Sequence, residues 1–218
     1  MANLITVLRF PLLIIVVLLV YAANPLARLV AAFLIVLLIG MDSIDGMVAR
    51  ARKEESLMGS VLDIMADRAV ELVLWVCYAH LGLIPVAIPI IYILRSTVVD
   101  SLRSVHVSAG TAPFNAMRTR LGKFLVASPE MRTGYAVNKL VSFAGLALTH
   151  SLEAYAAQGM IALDVVRSSS LIFNITSWIA VSFCLVRGAP VLIEAIPLPG
   201  RHRESDQHSS ARCDEVPD

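Results

Sequence analysis

The stretch Met41–Arg68, MDSIDGMVARARKEESLMGSVLDIMADR, places four aspartates in two pairs, Asp42 with Asp45 and Asp63 with Asp67, around a short charged segment. Long apolar runs flank it on both sides. Residues three or four apart share one face of a helix, so each pair aims two carboxylates the same way. A hairpin of two such helices brings all four together.

Four carboxylates at the edge of a bilayer repel one another and are costly to desolvate unless a cation neutralises them. Hard oxygen donors without nearby His or Cys favour Mg²⁺ or Mn²⁺. Asp42, Asp45, Asp63 and Asp67 are enough for a bridged pair of divalent ions about 3.5 to 4 Å apart. The plain alternative, solvated aspartates on a loop and a helix start, fits poorly with helical spacing at membrane depth.

The same stretch carries the pattern D-x2-D-G-x2-A-R-x8-G-x3-D-x3-D at Asp42, Asp45, Gly46, Ala49, Arg50, Gly59, Asp63 and Asp67. This pattern resembles the signature of the CDP-alcohol phosphatidyltransferases, integral membrane enzymes that make phospholipid head groups. The resemblance implies an all-α membrane fold of six transmembrane helices, CDP-diacylglycerol as donor, and CMP as product. It assigns the proton-accepting role to Asp67, and a CDP pocket to Gly46, Ala49, Arg50 and Gly59. Gly46 and Ala49 also have a steric logic of their own, since two small residues about one turn apart let a flat base or a neighbouring backbone lie against the helix. Helix packing is the alternative for these positions.

Working outward, the composition is that of a membrane protein. Hydrophobic residues make up 57% of the 218 and charged residues 16%, and mean hydropathy is +0.75, which argues against a soluble domain. Apolar runs are expected at 4–23, 28–42, 59–80, 83–102, 136–152 and 168–186, with a break at Asn24 and Pro25 and a connector over 151–167. Each is near the roughly 20 residues that cross a bilayer. Residues 1–190 form the expected membrane domain and 191–218 a polar, disordered cytoplasmic tail. The first run lacks a compact basic segment and a small-residue cleavage site, so it is not expected to be a cleaved signal. Cys77, Cys184 and Cys213 have neither metal nor disulfide spacing.

Six spans put both termini on one side. With the aspartates facing the cytoplasm, only Arg28 and Arg167 of the 18 Lys and Arg fall on the far side, a strong positive-inside bias. The expected location is a bacterial-type inner or cell membrane. The basic segment 106–135, with an interfacial helix over 115–126, is expected to face lipid phosphates. No nucleic-acid partner is expected, and a homodimer through small-residue helix faces is the expected assembly.

Arg95, Asp100, Arg103 and Lys139 lie inside apolar runs. Ionisable groups at such depth are functional candidates by default, the alternatives being snorkelling or an Arg95–Asp100 pair. Cations near the cytoplasmic helix ends suit an acceptor that is itself a phosphate ester, with Arg103, Lys139 and Arg187 as its candidate ligands and Arg118 or Arg132 in reserve. Glycerol 3-phosphate is the first expectation, supported by the opening NLITVLRFPL, which resembles the glycerol-phosphate branch. Two features depart from that branch, Arg68 in place of a lysine after the last aspartate and a longer 110–132 loop. They keep inositol phosphate and other alcohols open. A small transporter should show repeated halves, and none is visible; a non-catalytic CDP-lipid-binding protein should have lost an aspartate, yet all four are present.

Overall fold

The computed structural model describes residues 2–52, 57–108 and 129–195, with side chains at 6–41, 59, 61–101, 131 and 133–189. Among these residues the chain is all-helical: α1 (Ala2–Val20), α2 (Pro25–Arg52), α3 (Leu57–His80), α4 (Ala87–Ser108), α5 (Pro129–Ala157) and α6 (Leu163–Ala195). The expected interfacial helix over 115–126, the reserve cation Arg118 and residues 196–218 lie outside the described residues; Arg132 stands in α5 with its side chain outside the described ones, and residues 191–195, expected as tail, continue α6.

Short connections make three antiparallel hairpins, all turning at one end. Asn24 starts α2 by accepting the Leu26 amide on its Oδ1 at 2.9 Å, and Pro25 takes the first helical position, where its missing N–H is not needed. The α3–α4 and α5–α6 turns share one solution. Gly82 and Gly159 adopt positive φ of 74° and 75°, and the amides that follow them, Leu83 and Met160, bond back to Tyr78 and Tyr155 at 3.0 and 3.1 Å. This is a Schellman closure, which favours glycine.

The helices overrun the apolar runs. One continuous α2 carries Asp42, Asp45, Gly46, Ala49 and Arg50, since an isolated Gly46 does not break a helix. The expected connector 151–167 shrinks to 158–162, because LEAYAA continues α5 until Gly159. The start of α4 moves from 83 to Ala87 because Pro85 and the turn before it precede the helix, while Pro89 is tolerated in the first turn.

Neighbouring helices close into a ring in the order α1, α2, α5, α6, α4, α3 and back to α1. The two motif helices are thus joined chiefly through α1 rather than as a simple hairpin. Aromatic side chains cross the interior. Trp75 of α3 packs at 4.5 Å from Phe143 of α5 and 5.2 Å from Tyr92 of α4, and the Tyr78 hydroxyl donates to the Phe143 carbonyl at 2.7 Å.

Outward faces are apolar, with Phe33 70%, Leu18 66%, Leu171 64% and Leu94 61% exposed, as a lipid-facing surface requires. By length and composition the segment Leu163–Ala189 is able to cross a membrane, while Thr6–Val20 and Pro25–Met41 are shorter apolar helices. The six expected spans are therefore matched by one such helix among the described residues. Charges interrupt α3, α4 and α5, and those charges face one another inside the bundle.

Gly145 of α5 abuts the Phe173 ring of α6 so closely that a Cβ there would overlap ring carbons, including the one nearest the backbone. Gly145→Ala is expected to force α5 and α6 apart and destabilise the protein by about 1–3 kcal/mol, read as a lower thermal unfolding midpoint in detergent. An unchanged midpoint would show that this contact does not set the helix spacing.

Candidate active site

Acidic residues recur every fourth position on α3, at Asp63, Asp67 and Glu71, so they stack along one face, a turn apart. Each meets a cation delivered by a different helix. Arg9 of α1, 1% exposed, lies with Nη1 3.5 Å from Asp63 Oδ1. Lys139 of α5 places Nζ 3.1 Å from Asp67 Oδ1 and 3.8 Å from Glu71 Oε1. Arg68 reaches Glu71 Oε2 at 3.3 Å and, through Nε, Asp100 Oδ2 of α4 at 3.5 Å.

Glu71 is 1% exposed, and the Tyr135 hydroxyl of α5 donates to its Oε1 at 2.6 Å. The Tyr135 ring in turn lies 5.6 Å from the Lys139 ammonium and 5.4 Å from the Arg187 guanidinium of α6, within cation–π range. A cavity of about 240 Å³ opens against this cluster, lined among others by Asp63, Asp67, Arg68, Arg95, Tyr135 and Arg187. At roughly 30 Å³ per water it is on the scale of a small alcohol rather than a whole nucleotide-linked lipid.

Arg95 stands apart from the other cations of the wall. Its Nε is buried without a hydrogen-bond partner among the described residues. The Arg95–Asp100 pair, the alternative to a functional role, does not form, since residues five apart point to different sides of a helix. Asp100 instead takes Arg68 and the Ser96 hydroxyl, the latter at 3.3 Å. Arg95 runs over Gly188 of α6, where a Cβ would sit 2.8 Å from its Nε.

Of the residues singled out in the sequence, Asp63, Asp67, Arg68, Arg95 and Arg187 meet at the cavity. Lys139 is turned onto Asp67 and Glu71, behind the lining. Gly59 stands in the first turn of α3. The side chains of Asp42, Asp45, Gly46, Ala49, Arg50 and Arg103 lie outside the described ones, although their backbones belong to α2 and α4. Asp63 and Asp67, with side chains 50% and 40% exposed, offer hard oxygen donors one turn apart, a donor set that fits Mg²⁺ or Mn²⁺. No group of three or more potential ligands forms among the described residues.

Sequence reading missed Arg9, Glu71 and Tyr135. Two signals were available: Arg9 is ionisable within an apolar run, and Glu71 extends the four-residue rhythm of Asp63 and Asp67.

The description "CDP-alcohol phosphatidyltransferase" fits residues 1–186 at the level of the family. The chain belongs to the CDP-alcohol phosphatidyltransferase family. It is also 33% identical over 161 residues to a CDP-diacylglycerol–glycerol-3-phosphate 3-phosphatidyltransferase of Cereibacter sphaeroides, a match that covers 72% of this chain and 69% of the relative. The protein is a transferase of phospholipid biosynthesis, from a family associated with membranes and generally dependent on divalent cations.

Lys139→Met leaves the buried Glu71 and Asp67 short of a counter-charge. It is expected to destabilise the protein by about 2 kcal/mol, a partly screened version of the cost of breaking a buried pair. Thermal unfolding in detergent measures this, and Lys139→Met combined with Glu71→Gln should lose less than the two single effects added together. Simple additivity would contradict the pairing.

Proposed function

We propose that this phosphatidyltransferase uses a phosphorylated alcohol as acceptor, glycerol 3-phosphate first, and yields phosphatidylglycerophosphate and CMP. The observation that carries the proposal is Arg95, a cation in the cavity wall whose buried Nε has no hydrogen-bond partner among the described residues. An acceptor phosphate beside Arg95, Arg187 and Arg68 would receive charge-assisted hydrogen bonds that a neutral alcohol cannot accept. The glycerol-3-phosphate enzyme of Cereibacter sphaeroides supports the same choice. Inositol phosphate is the second reading, favoured by Arg68, an arginine in the cavity wall where a lysine would suit the glycerol-phosphate branch.

In this reading Asp42, Asp45, Asp63 and Asp67 hold two divalent cations, Mg²⁺ or Mn²⁺, which when bound screen the diphosphate and stabilise departing CMP. Gly46, Ala49, Arg50 and Gly59 form the CDP pocket. Arg9 and Lys139 hold Asp63 and Asp67 in direction, each from another helix. The acceptor oxygen bonds to the phosphatidyl phosphorus as the bond to the bridging oxygen breaks. CMP leaves with that electron pair, and the hydroxyl proton passes to the Asp67 carboxylate, a weak base that works late and at close range. Arg187 and Arg95 orient the acceptor phosphate. Lys139 acts on the acceptor only through Asp67.

The six helices of residues 1–190 cross the membrane in this account, paired charges turned inward. The cavity opens to the cytoplasm with both termini, because only Arg28 and Arg167 of the 18 Lys and Arg then lie outside. The host is a bacterial-type inner or cell membrane.

CMP release by the purified protein with CDP-diacylglycerol, Mg²⁺ and glycerol 3-phosphate tests this reading. Release is expected to stop with EDTA and to fall by about 10³-fold or more in Asp67→Asn. Gly188→Ala, which displaces Arg95, is expected to raise the acceptor KM by about tenfold while the KM for CDP-diacylglycerol stays put. Release only with inositol phosphate would favour the second reading, and release only with uncharged alcohols would overturn both.

A further inference from the structure

Glu71 belongs neither to the aspartate pattern nor to any role assigned so far, yet charged and polar groups from α3 and α5 converge on it. It borders the cavity but is only 1% exposed, with both carboxylate oxygens already engaged by the protein. Its oxygens are divided among helices: Oε2 faces Arg68 at 3.3 Å, and Oε1 accepts from the Tyr135 hydroxyl at 2.6 Å with Lys139 at 3.8 Å. Tyr135 passes the order onward, since its ring lies 5.4 Å from the Arg187 guanidinium.

Cations gathered round a small cavity repel one another, and without a fixed anion at their centre long Arg and Lys side chains swing toward water. A buried carboxylate tied to a tyrosine hydroxyl resists that. We infer that Glu71 is a positioning residue for the acceptor end of the reaction: through Arg68 directly, and through Tyr135 to Arg187, it holds the cationic wall in the geometry that captures a phosphorylated alcohol. This rests on the phosphorylated-acceptor reading above. Glu71 moves no proton, and its oxygens stay committed to Arg68 and Tyr135.

Glu71→Gln keeps the shape and an acceptor for Tyr135 but removes the charge that restrains Arg68 and Lys139. Tyr135→Phe removes only the hydroxyl contact and keeps the ring beneath Arg187, so it carries the test if Glu71→Gln does not fold. Steady-state kinetics of the full chain in detergent would be measured with glycerol 3-phosphate and CDP-diacylglycerol varied separately. Glu71→Gln is expected to raise the acceptor KM by about tenfold and Tyr135→Phe by about threefold. In both, the KM for CDP-diacylglycerol should stay within about twofold, as should kcat in Tyr135→Phe, which leaves Lys139 and Asp67 untouched, and the double variant should be no worse than Glu71→Gln alone.

An unchanged acceptor KM, additive effects in the double variant, or a parallel loss in kcat and both KM values would overturn the inference. The parallel loss would mark Glu71 as a purely structural residue. A wild-type enzyme that accepts only uncharged alcohols would instead overturn the reading beneath it, an outcome visible before any variant is made.

Discussion

A carboxylate enclosed by apolar helices is tolerable only when its charge is answered on every side. In this chain that demand is concentrated at Glu71, met by Arg68 from its own helix and by Lys139 and Tyr135 from α5. The neighbouring acids follow the same rule, Asp67 through Lys139 and Asp63 through Arg9. Ion pairs drawn from α1, α3, α4 and α5 therefore bind one end of the ring, while aromatic contacts of Trp75, Tyr78 and Phe143 fill its middle. The far end is set by the Asn24-Pro25 turn and two glycine-closed turns.

Such an arrangement separates two tasks along one helix. All three acids border the cavity, but Asp63 and Asp67 keep side chains 50% and 40% exposed whereas Glu71, one turn on, is 1% exposed. The exposed pair can meet a cation or a substrate proton, and Glu71 holds its neighbours. Arg95 and Gly188 add a steric element, because the missing side chain on α6 is what lets the arginine lie along the cavity wall.

Much of this was legible from residue spacing. The aspartate rhythm at 63 and 67 follows from the helix period, and the first hairpin turn from Asn24-Pro25. Helix ends were less legible: LEAYAA and the run after Arg50 have good helical propensity but low hydropathy, so a reading by apolar runs stops short of both. Glu71, Arg9 and Tyr135 were not found because their meaning depends on which helices are neighbours, and the ring order is a long-range property that local periodicity does not carry. The Arg95–Asp100 pair failed for the opposite reason, since helical geometry alone sets these residues on different sides.

The central claim is that the cation-lined cavity beside Asp67 selects an acceptor carrying its own phosphate. The most direct measurement is a competition in which the purified protein, CDP-diacylglycerol and Mg²⁺ are given equal amounts of glycerol 3-phosphate, inositol phosphate, glycerol and inositol, and the extracted lipids are weighed by mass spectrometry. The account predicts phospholipid bearing a terminal phosphate monoester, chiefly phosphatidylglycerophosphate. Phosphatidylglycerol or phosphatidylinositol as the main direct product would contradict it.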